Sequence, residues 1–123
     1  MTQDEYIYKL KQCWQKILST EPTKTTIILA DLAVQEHPKS SELWRIRGNL
    51  LELANFDTGH PLKESLRCYR LAVKLDPFFI EAYEDLAWFL DAVLGNRRKA
   101  KRFFDKAWRL RHAKKKAATC IVK

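Results

Sequence analysis

Asp57-Thr58-Gly59 is the stretch of this chain that most resembles a chemical motif. The same triplet supplies the catalytic carboxylate of aspartic proteases, but that chemistry needs a β-rich frame and a second aspartate sharing one proton. Here the triplet lies inside NFDTGHP, residues 55–61, between two helical patterns. Asp, Gly and the nearby Pro61 are ordinary turn formers. His37, His60 and His112 stand apart from one another and from cysteine, so no ligand pair at helical spacing arises. Cys13, Cys68 and Cys120 are odd in number and widely spaced, which gives neither a disulfide framework nor a C-x-x-C pair. The sequence contains no glycine-rich phosphate loop and no Ser or Cys nucleophile motif. The expectation is no catalytic residue, no metal and no cofactor. The closing CIVK, behind three lysines, has the outline of a prenylation box, although Lys123 is not a residue such enzymes usually accept; a frayed helix end is the alternative.

The elements that would carry any site read as helices. With 3 Gly and 4 Pro in 123 residues, the chain has little turn chemistry for a multi-stranded sheet, and its length suits one domain. In LKESLRCYRLAVKLDP, residues 62–77, Ser65, Tyr69, Ala72 and Leu75 share one helical face before Pro77 stops the helix. Ala100, Phe104, Ala107 and Leu110 repeat those offsets, and Thr26, Ala30 and Ala33 do so ahead of Pro38. Each of these stretches follows another amphipathic segment, at 7–20, 41–54 and 80–93. Leu10, Trp44 and Tyr83 then correspond, at intervals of 34 and 39 residues. The loop 55–61 absorbs the difference, as an insertion that leaves both flanking helices intact.

This pattern resembles the tetratricopeptide repeat, a 34-residue helix-turn-helix unit. The middle unit matches it with Trp44, Gly48, Ser65, Tyr69, Ala72 and Pro77, and the last with Tyr83, Leu86, Ala87, Ala100, Phe104 and Ala107. The first unit departs: Trp14 stands where the family prefers a small residue and Ala30 where it prefers an aromatic. In the second unit Arg47 replaces a leucine. The resemblance implies a single all-α domain over 1–123, a right-handed superhelix of three antiparallel helix pairs. Its repeats fall at about 7–40, 41–79 and 80–113, with a basic extension at 111–123 and a degenerate first repeat acting as a cap. Gly48 against Ser65, and Ala87 against Ala100, are expected to be close helix approaches.

Function in such a fold lies on the concave face, which in this family is lined by the first helix of each pair. By registration that face presents Tyr8, Lys11, Gln15, Arg45, Asn49, Glu52, Glu81, Glu84, Trp88 and Asp91. Some members clamp a chaperone's terminal carboxylate with Lys, Asn and Arg. Here Lys11 and Gln15 are followed by Ile46, Glu81 and Asp85, and those acids would repel a carboxylate. The resemblance therefore implies a protein-protein interaction adaptor for a partner protein or peptide with basic residues and an apolar anchor near Trp88. A groove merely solvated by carboxylates is the other reading.

Charge is unevenly placed. The chain is +8 overall, but residues 97–123 carry +11 and residues 1–96 carry −3. Arg98, Lys101, Arg102, Lys106 and Arg109 recur on the outer face of the last helix. Three readings stand: a solvated end-cap, phosphates of nucleic acid held weakly, or an anionic protein or membrane surface. Phe103, Phe104 and Trp108 are expected inside, which leaves no stacking platform among the charges and favours the cap. The N-terminus, MTQDEYIYKLKQ, lacks a basic start and apolar core, and no apolar run reaches membrane-span length. A cytoplasmic location is expected.

Overall fold

The computed structural model describes residues 1–17 and 23–121, with side chains at 1–13 and 23–117. All regular structure among the described residues is helical: α1 (Gln3–Ile17), α2 (Lys24–Glu36), α3 (Ser41–Leu53), α4 (Lys63–Leu75), α5 (Ile80–Trp88), a π turn (Phe89–Val93) and α6 (Arg97–Ile121). The all-α expectation is borne out. The chain forms two compact units, Met1–Asp76 and Pro77–Lys123.

Local chemistry sets most helix starts. Thr2 and Glu5 form a reciprocal capping box, with Glu5 N donating to Thr2 Oγ1 at 3.1 Å and Thr2 N to Glu5 Oε1 at 3.3 Å. Thr23 and Ser40 accept from the N–H of Thr26 and Leu43, and Asn96 Oδ1 accepts from Lys99 N. Gly95, at φ 64°, supplies the left-handed residue that ends the π turn.

In the first unit α1 packs on α2 and α3, α2 on α3, and α3 on α4. The core there is built from Tyr6, Leu10, Ile27, Ala30, Leu43, Leu50, Cys68, Tyr69 and Ala72. A Cβ on Gly48 would lie 2.7 Å from Tyr69 Cε1 and 3.1 Å from Cys68 Cβ. The close approach is real, but its nearest partners are Tyr69 and Cys68 rather than the expected Ser65. In the second unit α5 packs on α6 through Tyr83, Leu86, Ala87, Ala100 and Ala107.

The two units share one local device. Trp44 Nε1 donates to the Pro38 carbonyl at 2.8 Å, and Tyr83 OH donates to the Pro77 carbonyl at 3.0 Å, each six residues back. A buried ring with a polar tip needs such a partner. The helices before these prolines also end alike: the His37 N–H donates to the Ala33 carbonyl and the Asp76 N–H to that of Ala72.

Candidate functional site

Registration assigns six surface positions of the first unit to the concave face, and most of those whose side chains are described have partners within the unit: the Tyr8 hydroxyl accepts from Gln12 Nε2 at 2.8 Å. Lys11 Nζ pairs with Glu42 Oε1 at 2.8 Å, while Arg45 is half-buried. The Tyr69 hydroxyl, with one proton to donate, lies 2.8 Å from both Asn49 Oδ1 and Glu52 Oε2, so α3 ties the tip of the buried ring of α4. The side chain of Gln15 lies outside the described residues.

Sequence reasoning missed the main polar cluster of this unit. Arg47 is 5 % exposed and reaches three elements. Its Nε donates to Asp31 Oδ1 on α2 at 2.8 Å, and Nη1 donates to Glu64 Oε2 at 3.3 Å and Cys68 Sγ at 3.0 Å on α4. His60 Nε2 from the connecting loop lies 3.1 Å from Asp31 Oδ2. The loop 55–61 is thus pinned to the helices and is not a free insertion. The one signal available was Arg47 itself, a charge where the surrounding pattern called for leucine.

Electrostatics favour the charged Arg47 and Glu64 and the neutral Cys68 thiol. Burial alone disfavours the charged guanidinium, but the hydrogen bonds to Asp31 and Cys68 and the attraction of Asp31 outweigh it, raising the Arg47 pKa. Burial likewise pushes Glu64 up, yet hydrogen bonding to Arg67 and the charge of Arg47 bring its carboxyl below the usual 4.5. Burial drives the Cys68 thiol to about 11, only partly offset by Arg47, so it is neither a thiolate nor a nucleophile near neutrality. No group of His, Cys, Asp and Glu among the described residues is arranged to hold a metal ion. Asp57, in the protease-like triplet, accepts from the Gly59 N–H at 2.9 Å as a turn residue does.

The second unit is open where the first is closed. Glu84 Oε1 on α5 accepts from Arg111 Nη2 at 2.6 Å and Asp91 in the π turn lies 3.6 Å from Arg97, so two of the three expected acids are met by cations of α6. Glu81 is exposed and has no ion pair among the described residues. Trp88 is 60 % exposed and held edge-on by Phe104, with ring centroids 5.1 Å apart. A shallow pocket of about 350 Å³ is lined by Glu84, Phe104, Asp105, Ala107, Trp108 and Arg111.

On α6, Arg98, Lys101, Arg102 and Arg109 are exposed and Lys106 is half-buried. Trp108 is not inside: it is 61 % exposed and stacked on His112 at 4.3 Å. Size argued for burial, but Trp108 stands at the margin of the face that packs on α5, whereas its neighbour Ala107 is buried there. No helix among the described residues is long and apolar enough to cross a membrane. No protein-family model matches the chain, and no curated protein is significantly similar to it.

Proposed function

We propose that the chain is a non-catalytic protein-protein interaction module of tetratricopeptide type, its helix pairs stacked as a short right-handed superhelix, that docks a partner peptide on the open face of α5. Trp88 carries the reading: an indole 60 % exposed yet held rigid by Phe104 is a ready apolar anchor, and large aromatics in fixed positions dominate interface energetics. Repeat geometry is supported by the matched donations of Trp44 to Pro38 and Tyr83 to Pro77. Glu81, about two turns before this anchor on the same side of α5, favours a basic residue in the ligand. The non-catalytic reading draws on the Cys68 thiol held protonated and on Asp57 employed in a turn.

Selection from a random peptide library on the immobilised chain tests this. The selected peptides are expected to place an apolar residue next to Lys or Arg, and Trp88→Ala is expected to weaken them by about 2 kcal/mol or more, as for a hot-spot aromatic. Acidic peptides that bind Trp88→Ala as well as the unsubstituted chain would refute it.

A further inference from the structure

Four of the cations of α6 form a line, with the exposed Asp105 at its edge. At about 100° per residue, Arg98, Arg102, Arg109 and Lys116 fall within about 40° of one another along the helix, over roughly 27 Å. None of the four has an ion pair among the described residues; Arg109 Nε merely donates to the Asp105 carbonyl of its own helix at 3.4 Å. About a quarter-turn round the helix from this line stands the exposed indole of Trp108, backed by His112 at 19° between ring planes.

A solubilising cap accounts for only part of this arrangement. Cations in the last turns complement the helix dipole, but Arg97, Arg98 and Lys99 occupy the first turn, where they oppose it. A bilayer is disfavoured because an interfacial helix needs a continuous apolar face. The face formed by Ala100, Phe104 and Ala107 packs on α5, and further along the same side stand Arg111 and Lys114, both exposed. An acidic protein would satisfy the cations but gain nothing from the indole, whose π face is negative. A line of phosphates with unpaired bases satisfies both features, since any base can stack on an open aromatic while cations track the backbone.

We propose that the exposed face of α6 binds single-stranded nucleic acid, with phosphates along Arg98, Arg102, Arg109 and Lys116 and a base stacked on Trp108. Trp108 and Trp88 both neighbour Phe104, but the cation line takes no part in the Trp88 anchor, and oligouridine binding and peptide selection are separate measurements. Recognition is sequence-tolerant, because neither group reads a base edge.

The test is fluorescence anisotropy of labelled oligouridine with the full chain. Affinity is expected to fall linearly with salt on logarithmic axes, with a slope of about −0.7 per phosphate contacted. Trp108→Ala is expected to lower affinity about 5- to 100-fold with the salt slope unchanged, and Trp108→Phe to retain most of it. Should Trp108→Ala lose helicity by circular dichroism, Trp108→Leu, which keeps bulk without a π face, makes the same comparison. Four observations would each overturn the assignment: Trp108→Ala and Trp108→Leu binding like the unsubstituted chain, an oligouridine–oligoadenine duplex bound as tightly as the single strand, polyglutamate displacing oligouridine at equal charge, or phosphatidylserine vesicles bound while oligouridine is not.

Discussion

In the unit Met1–Asp76 one arginine is buried, its fork divided between Asp31 and Glu64, with a loop histidine closing over Asp31. In the unit Pro77–Lys123 the arginines of α6 stand in solvent, and those on its outer line touch no carboxylate among the described residues. The same side chain thus does opposite work. A buried guanidinium must be matched charge for charge or its desolvation penalty unfolds the site, so Arg47 is part of the fold. An exposed one contributes almost nothing to stability and remains available to a ligand.

Arg47→Leu, the change that would restore the repeat pattern, breaks the comparison most severely. It leaves Asp31 with only His60 and Glu64 with only the exposed Arg67 as partners, and a loss of about 2–4 kcal/mol is expected in urea unfolding. Adding Asp31→Asn and Glu64→Gln is expected to recover part of that loss, and full stability in the single variant would mean the cluster is ornamental. Gly48→Ala comes next, at about 1–3 kcal/mol, because the ring it meets is fully buried and tied at its hydroxyl. Tyr69→Phe frees that tie by removing the donor to Asn49 and Glu52, for about 1 kcal/mol.

The pH dependence sharpens the same contrast. Glu64 has a lowered pKa in the folded chain, so its stabilisation is complete above about pH 4.5 and is lost as pH falls through the folded value below that. Cys68 has a raised one, so its protonated form favours the fold up to about pH 9, and that advantage is lost as pH rises toward 11. Thermal midpoints across pH are expected to drop at both ends. Glu64→Gln flattens the acid limb and Cys68→Ala the alkaline limb; unchanged limbs in these variants would place the titrating groups elsewhere.

The helices were legible because apolar and small residues recur at three and four, a signal each short segment carries by itself. The starts at Ser41, Lys63, Ile80 and Arg97 fall within a residue of where the patterns begin. What periodicity cannot show is which charge turns inward: Asp31, His60 and Glu64 lie 16, 13 and 17 residues from Arg47, and only tertiary packing brings them together. The π turn was likewise hidden, since one widened turn after Trp88 leaves the composition of the segment unchanged. Trp108 was misplaced for another reason. An aromatic at the margin of an apolar face is covered only if the packed helix reaches round to it, which periodicity along α6 does not state.

The smallest expected effect is also the most direct test of the division between fold and surface. Replacing Arg98, Lys101, Arg102 and Arg109 together by Gln removes four charges at nearly constant helix propensity. The urea midpoint of this variant is predicted to stay within about 0.5 kcal/mol of the unsubstituted chain, as expected for exposed, unpaired charges. A loss comparable to that of Arg47→Leu would contradict the account, because it would make the outer line of α6 part of what holds the protein together.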